Sequence, residues 1–378
     1  MIDGRTGVTP VCNSNNKRNK IGMNILIVKL SAIGDVIHTL PSLAALRKLY
    51  PDANITWVVE EASSDIIKDH PYLDRVIISH RKQWIEDLKH YRIGKPLRKI
   101  KSFINDLRAQ PYDLVIDFHG LFKSAVVVFL SSGKRKLGYD SMQELSGLFL
   151  NEKISEDMGK HAVDRYLDFL RYLGADVKEP EFLIPIREEN RTRVDGLLQI
   201  NDIDKKDRFV AVSPVALWDT KLWEDGKFAR LCDRITEELK FRVVFTGSDR
   251  EKLEHIRSRM RTPSINLGGK TMLRDLAYLY QAASLLITTD SGPMHIAAAA
   301  GTPVIALFGP TDPSRTGPYG IGHTVIRKEL SCSPCFLKKC DTIKCMHDIT
   351  VEEVFQAVAE KLRTNSKIID VEGNKQEG

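Results

Sequence analysis

The sequence has 378 residues, about twice the length of a typical domain, so two domains are favoured over one oversized core. Apolar residues make up 42% of the chain and charged residues 28%, which excludes a disordered, collagen-like or membrane-bundle protein. The formal net charge of +6 is modest over this length.

Residues 1–22 have no hydrophobic core for export, and no run in the chain reaches the roughly 18 apolar residues that a spanning helix needs. The first strand is predicted to begin at Met23. We therefore expect a disordered extension over residues 1–22 and a cytoplasmic protein.

Short apolar runs then alternate with amphipathic stretches, which is typical of βαβ units on a parallel sheet. The first half predicts strands at residues 25–30, 55–59, 76–78 and 114–118 and helices at 36–49 and 162–173. The second half predicts strands at residues 209–213, 242–246, 264–267, 285–289 and 304–308. This pattern indicates two doubly wound domains.

Charged and proline residues interrupt the pattern at residues 177–185, a composition typical of linkers. The predicted domains cover residues 23–180 and 181–350, followed by a helix at 351–363 and a disordered tail at 364–378. Ligands of such sheets bind outside the carboxyl ends of the strands, so candidate residues are sought in the strand-to-helix turns.

The positive charge is concentrated in residues 81–108, where nine basic and three acidic residues give a surplus equal to that of the whole chain. Apolar residues recur there at helical intervals, which predicts an amphipathic element with a cationic face. Its partner would be a nucleic acid, a membrane surface or a phosphorylated substrate, and a solvated helix face is the alternative. No recognised nucleic-acid module supports the first of these partners.

The first strand-to-helix turn, residues 29–38, contains Ser31, Gly34 and Asp35. It lacks the spaced glycines of a dinucleotide site, so an NAD enzyme is disfavoured. Gly34 permits close backbone approach. Asp35 is either the N-cap of the helix or a general base exposed toward a cleft.

A turn in the second half, residues 288–297, precedes a helix marked by Pro293 and Gly301. The free N–H groups and partial positive charge at its start predict an anion site suited to a diphosphate, and an ordinary turn with a capping aspartate is the alternative. The candidate side chains are those of Asp290, Ser291, Gly292 and His295.

Thr220 and Lys221 lie between two tryptophans just past the first strand of the second domain. Lys221 is either a solvated charge beside a core anchor or a phosphate-directed lysine supported by the Thr220 hydroxyl. Glu251 follows the strand at 242–246, where a nucleotide-recognition loop would lie.

Four of the six cysteines have the spacing C-x2-C-x4-C-x4-C, compact enough to wrap one metal ion. The segment follows the last predicted strand instead of facing the cleft, so reduced or redox-sensitive thiols are favoured over structural zinc, and a catalytic metal is disfavoured further. A reducing compartment argues against disulfides. The four are Cys332, Cys335, Cys340 and Cys345.

Together these turns resemble the glycosyltransferase family 9 heptosyltransferases, which add heptose to the lipopolysaccharide inner core. The resemblance rests on ordered motifs at residues 25–41 (ILIVKLSAIGDVIHTLP), 218–223 (WDTKLW), 290–295 (DSGPMH) and 308–313 (FGPTDP). It covers about residues 23–363. Residues 57–61 and 120–125 are most similar to the heptosyltransferase I subfamily.

The resemblance implies an α/β fold with GT-B architecture, in which two Rossmann-like domains face each other across a cleft. The nucleotide sugar would bind the C-terminal domain and the acceptor the N-terminal one. The implied reaction is an inverting, metal-independent transfer of L-glycero-D-manno-heptose from ADP-heptose to a Kdo residue of Kdo–lipid A, with no cofactor. This anionic glycolipid would hold the enzyme peripherally on the cytoplasmic face of the inner membrane, and no nucleic acid would be bound.

The resemblance also assigns roles to residues. Asp35 matches the catalytic base, and Lys221 matches a lysine at the donor phosphate. The donor side comprises Thr220, Lys221, Glu251, Asp290, Ser291, Gly292 and His295. The acceptor side comprises Ser31, Gly34, His161 and Arg165, together with Lys95, Arg98, Lys99 and Lys101 of the basic segment.

Ala216 and Leu217 stand where hydroxyl residues are expected before the lysine, which departs from the family pattern. A family member that uses another sugar or acceptor, for example the second core heptose, is the first alternative function. A non-catalytic nucleotide-binding protein is the second, and a nucleic-acid-binding protein is the third.

Overall fold

The computed structural model describes residues 22–90, 94–141, 143–204 and 207–373. The extension predicted over residues 1–22 therefore lies outside the described residues except for Gly22, and so do the last five residues of the predicted tail. In the part of the chain that is described, no helix combines the length and apolar character needed to cross a bilayer.

The N-terminal half is built on a parallel sheet with the spatial order β3-β2-β1-β4-β5-β6. The strands are β1 (Asn24–Val28), β2 (Asn54–Glu60), β3 (Arg75–Ser79), β4 (Leu114–Asp117), β5 (Arg135–Tyr139) and β6 (Glu152–Ile154). The helices are α1 (Ile33–Leu49), α2 (Glu61–Ser64), α3 (Arg81–Lys89), α4 (Gly94–Leu107), α5 (Phe122–Leu130) and α6 (Ala162–Tyr172). A 3-10 helix, Gln143–Phe149, precedes β6.

Helices cover both faces of this sheet, and the side chains of β1 alternate between them. Ile25 and Ile27 belong to the core shared with α1 and α6, whereas Leu26 and Val28 belong to the core under α3, α4 and α5. A central parallel strand buried on both faces carries apolar residues at successive positions. This explains why the sequence around residue 25 shows a continuous apolar run.

The C-terminal half repeats the plan, with the order β12-β11-β10-β7-β8-β9. The strands are β7 (Phe209–Ser213), β8 (Arg242–Phe245), β9 (Ile265–Asn266), β10 (Leu285–Thr289), β11 (Val304–Phe308) and β12 (Thr324–Arg327). The helices are α7 (Glu188–Ile200), α8 (Asp225–Glu238), α9 (Arg250–Arg257), α10 (Leu273–Ala282), α11 (Gly292–Ala299), α12 (Pro313–Thr316), α13 (Lys344–His347) and α14 (Val351–Gly373). Asp219–Lys221 forms a 3-10 turn.

In each sheet the first strand lies between the second and the fourth, and all pairs are parallel. This confirms the prediction of two Rossmann-like domains. The strand order reverses between β1 and β4 and again between β7 and β10. Crevices at such reversal points bind ligands in open α/β sheets, which directs attention to the turns after these four strands.

Three strands were not predicted. β5 begins with Arg135 and Lys136, and β6 and β12 are edge strands whose residues are mostly half-buried, so no apolar run marks them. The last helix is also longer than predicted, because it continues past residue 363 to Gly373. The sequence from 364 to 372 contains neither proline nor glycine to end it.

Candidate active site

The N-termini of α1 and α11 meet between the two domains. A Cβ atom added to Gly34 would lie 2.4 Å from Cδ2 of His295, and one added to Gly292 would lie 3.2 Å from Cβ of Ile33. Glycine at position 34 therefore permits a contact that any side chain would block. Two helix starts, each with free N–H groups and partial positive charge, thus lie close together and favour a bound anion.

Asp35 lies in the first turn of α1, but it is not the N-cap. The N-cap is Ala32, whose backbone N–H donates to Oδ2 of Asp35 over 2.9 Å. The other carboxylate oxygen, Oδ1, accepts a hydrogen bond of 3.1 Å from the Tyr166 hydroxyl and lies 3.5 Å from Nζ of Lys29. The Asp35 side chain is still 39% exposed, so it combines a fixed orientation with access from the cleft.

The charge of Asp35 is stabilised by its surroundings. Burial works against the ionised form, but the Lys29 ammonium, together with the Ala32 N–H group, holds the pKa of Asp35 well below its usual range. Burial lowers the pKa of Lys29, while the charges of Asp35 and Asp117 oppose this shift. Asp35 is therefore a carboxylate throughout the physiological pH range.

Three histidines form a contact between the domains. Nε2 of His38 on α1 lies 2.9 Å from Nδ1 of His295 on α11, and the ring of His161 lies 5.1 Å from that of His38. Burial lowers the pKa of His295 to about 4, and burial with the neighbouring His295 puts the pKa of His38 well below its usual value. Both rings are neutral at pH 7, which allows one to donate and the other to accept.

Lys221 and Asp290 form the polar centre on the C-terminal side. Nζ of Lys221 lies 2.6 Å from Oδ2 of the buried Asp290, which also accepts a 2.6 Å hydrogen bond from Thr311. The Lys221 ammonium lies over the Trp218 ring, 4.5 Å from its centroid. An ammonium has three donor hydrogens, so this pairing leaves Lys221 further donors for an anion.

Three other residues were predicted on the donor side: Ser291, Thr220 and Glu251. Ser291 is the N-cap of α11 and donates to the Thr289 carbonyl. Thr220 is buried and donates to the Leu337 carbonyl, so its hydroxyl anchors the loop instead of pointing to a ligand. Glu251 is exposed in the first turn of α9.

The predicted acceptor-side residues are dispersed. Ser31 accepts a hydrogen bond of 2.6 Å from Lys123, and His161 caps α6 while its Nε2 lies 3.1 Å from the Gly317 carbonyl. Arg165 is buried and paired with Glu156 at 2.5 Å. The structure places the four remaining residues on α4, on the outer side of the sheet from α1 and α6: Lys95, Arg98, Lys99 and Lys101.

Sequence reasoning missed four side chains at this site. Lys29 was included in the first predicted strand, although a lysine at the end of a buried apolar run is a signal of its own. Tyr166 directly follows Arg165, and His38 lies one helical turn after Asp35. Thr311 stands in the FGPTDP motif and bonds Asp290.

The cysteine segment lies beside the C-terminal sheet. Cys332 and Cys340 are exposed, Cys345 is buried, and all five cysteines in the described ranges are free thiols. Within those ranges no three His, Cys, Asp or Glu side chains are arranged to hold a metal ion. The backbone N–H groups of Cys335 and Phe336 both donate to the Pro310 carbonyl, which ties the segment to the FGPTDP turn.

The sequence matches a known family over most of the two sheets. Residues 100–346 match the family described as glycosyltransferase family 9 (heptosyltransferase). This chain belongs to glycosyltransferase family 9. It is therefore a glycosyltransferase, as the motifs implied.

Three relatives agree with that membership over 80–93% of their own length. Lipopolysaccharide heptosyltransferase 1 of Pseudomonas aeruginosa is 29% identical over 327 residues, which cover 84% of this chain and 87% of that protein. Lipopolysaccharide heptosyltransferase 1 of Escherichia coli K12 is 28% identical over 311 residues, covering 81% and 93%. Lipopolysaccharide heptosyltransferase 3 of the same strain is 29% identical over 287 residues, covering 74% and 80%.

Solved structures confirm the GT-B fold. A family 9 glycosyltransferase from Veillonella parvula superposes with a TM-score of 0.78 at 26% identity, covering 90% of this chain and 98% of that one. The heptosyltransferase WaaC of E. coli, solved with ADP, gives a TM-score of 0.71 at 26% identity, covering 90% and 100%. WaaC has also been solved with ADP-2-deoxy-2-fluoro heptose.

Proposed function

We propose that this enzyme transfers L-glycero-D-manno-heptose from ADP-heptose to a Kdo residue of Kdo–lipid A, with inversion and without a metal ion. The observation that carries the proposal is the ionised, accessible carboxylate of Asp35, one helical turn from the His38–His295 contact between the domains. A base on the acceptor side and an anion site on the donor side are the two parts that this reaction needs.

The donor is proposed to bind with its diphosphate at the start of α11. The N–H groups around Gly292 and the remaining donor hydrogens of Lys221 would hold the phosphate oxygens. The two structures of one relative, E. coli WaaC, with ADP and with ADP-2-deoxy-2-fluoro heptose support this class of donor. Asp290 would keep the Lys221 ammonium in place through their 2.6 Å contact.

In the proposed step, a hydroxyl oxygen of Kdo attacks the anomeric carbon of the heptose while the bond to ADP breaks on the opposite face. The hydroxyl proton passes to Asp35, and the electron pair of the broken bond leaves with ADP. The helix start and Lys221 stabilise the charge that develops on the phosphate. One displacement inverts the configuration.

The test is release of ADP from ADP-heptose in the presence and absence of Kdo–lipid A. Asp35→Asn should lower kcat by about 10²–10⁴-fold with donor binding nearly intact, because a positioned base contributes about that factor. Asp52→Asn, in the exposed turn after α1, is the matched control and should retain kcat. Near-normal turnover by the Asp35 variant would exclude it as the base.

Two further measurements test the proposed acceptor and the proposed independence of metal ions. ADP release that requires heptosyl-Kdo–lipid A would identify a transferase of a later core heptose. The similarity to heptosyltransferase 3 is the reason for testing this acceptor. The helix start at Gly292–His295 and Lys221 are proposed to stabilise the leaving group in place of a carboxylate-bound Mg²⁺, so a chelator should leave the rate unchanged. Loss of activity with the chelator and recovery with Mg²⁺ would contradict metal independence.

We further propose that the outer helices of the N-terminal domain rest on the inner membrane. α3, α4 and α5 share one core on the same side of the sheet. Leu97, Phe122 and Phe129 are each more than half exposed there, and α4 adds its basic residues. Apolar side chains beside lysines and arginines suit the surface of an anionic membrane.

Neutralising four basic residues should weaken binding to anionic liposomes and raise KM for the membrane-embedded acceptor. The variant replaces Lys95, Arg98, Lys99 and Lys101 by glutamine. The control makes the same change in charge on the C-terminal domain, at Arg230, Lys240, Arg259 and Lys339. If the two variants had equal effects, the effects would come from the net charge of the protein and not from the position of these residues on α4.

A further inference from the structure

A buried relay of hydrogen bonds ends on the carboxylate that the proposed function makes the base. Tyr166 on α6 is 5% exposed, and Lys29 at the end of β1 is 3% exposed. Nζ of Lys29 donates to the Tyr166 hydroxyl at 2.5 Å and to the Phe118 carbonyl at 3.0 Å. The Tyr166 hydroxyl in turn lies 3.1 Å from Oδ1 of Asp35.

The chemistry of the three groups fixes the direction of this relay. An ammonium has only donors and an ionised carboxylate has only acceptors. The Tyr166 oxygen must therefore accept from Lys29, and its single hydrogen is directed at Asp35. Burial and the nearby Asp35 charge raise the pKa of Tyr166 well above its usual value, so the hydroxyl keeps that hydrogen.

We propose that Tyr166, oriented by Lys29, is a positioning residue for Asp35. Its hydroxyl holds Oδ1 while the Ala32 N–H group holds Oδ2, so the plane of the carboxylate is fixed from both sides. The Asp35 side chain is still 39% exposed, so the acceptor hydroxyl can approach the carboxylate held in this way. The inference rests on the proposed role of Asp35 as base and adds the group that aims it.

The experiment compares two tyrosine variants that each lose one buried hydroxyl. Tyr166→Phe keeps the ring contact with Phe118, whose centroid is 5.9 Å away. Tyr139→Phe is the matched control, because the Tyr139 hydroxyl is buried and has no hydrogen-bond partner among the described residues. Both variants are checked by thermal unfolding before kinetics are measured.

We expect Tyr166→Phe to lower kcat about 10- to 100-fold, with KM for both substrates within about twofold, because a hydrogen bond to a charged group is lost at the reacting side chain alone. Tyr139→Phe should keep kcat. The double variant D35N/Y166F should be no slower than D35N, since Tyr166 acts through Asp35.

Lys29→Met gives a separate readout. Loss of the ammonium should raise the pKa of Asp35 and move the acid limb of the kcat profile to higher pH. An unmoved limb would exclude Lys29 as the group that supports the relay.

Other results overturn the positioning role of Tyr166. These are a normal kcat for Tyr166→Phe, an equal loss in Tyr139→Phe, or losses that multiply in D35N/Y166F. Failure of the proposed function looks different, because a normal kcat for Asp35→Asn would remove the base itself whatever Tyr166→Phe shows.

Discussion

The contact of Gly34 with His295 makes a sharp prediction about closure of the two domains. In Gly34→Ala the new methyl group would lie 2.4 Å from Cδ2 and 2.7 Å from Nε2 of His295. Favourable contacts between carbon atoms are about 3.5–4.0 Å, so the ring or the whole of α11 must move. Because Nδ1 of His295 is bonded to His38 over 2.9 Å, either movement breaks the contact between the domains.

Two estimates give the same free-energy cost for disrupting this contact between α1 and α11. Overpacking a well-packed contact costs about 1–3 kcal/mol, and losing a buried hydrogen bond costs about the same. About 2 kcal/mol corresponds to about a thirtyfold smaller population with α1 and α11 in contact. Alanine is also favoured over glycine by about 1 kcal/mol inside a helix, so α1 itself is not weakened.

We therefore expect Gly34→Ala to lower kcat/KM about thirtyfold while its thermal unfolding temperature stays within a few degrees of the parent. The value of kcat/KM is measured from the release of ADP in the presence of acceptor, and the unfolding temperature is measured by calorimetry. Gly196→Ala in α7 is the control, because a Cβ at that position would have no atom within 4 Å. A Gly34→Ala enzyme within twofold of the parent would refute the reasoning.

Two other predictions concern charge. Burial lowers the pKa of His295 to about 4, against about 6.5 in the unfolded chain, so its contribution to stability is complete above pH 6.5 and is lost as the pH falls toward 4. Burial also lowers the pKa of other histidines such as His38 and His161, so the His295 contribution is measured as a difference between two urea-unfolding profiles, those of the parent and of His295→Asn. That difference should decrease by about 3 kcal/mol over this range, and equal profiles for the two proteins would contradict the assignment. Lys221→Met should raise KM for ADP-heptose about 10- to 100-fold, because charged hydrogen bonds to the diphosphate are lost. The control variant Lys240→Met should leave this KM unchanged. An unchanged KM in the Lys221 variant would show that the diphosphate binds elsewhere.

The sequence alone determined the two domains, most of their strands and the turns that carry the candidate site. Strands β7, β10 and β11 have the predicted bounds, because parallel strands buried on both faces are runs of apolar residues between turn signals. The start of α11 was also predictable, since Pro293 suits the first turn of a helix. Family motifs then directed attention to Asp35, Lys221 and the turn at Asp290.

Tertiary structure alone decided which of these side chains meet. Asp35 and Tyr166 are 131 positions apart in the sequence, and His38 and His295 are 257 apart, so no local pattern pairs them. Burial then decides the chemistry, because the same carboxyl or imidazole group titrates differently beside an ammonium or inside a core. Arg165 shows the same limit, since only packing reveals that Glu156 occupies its guanidinium.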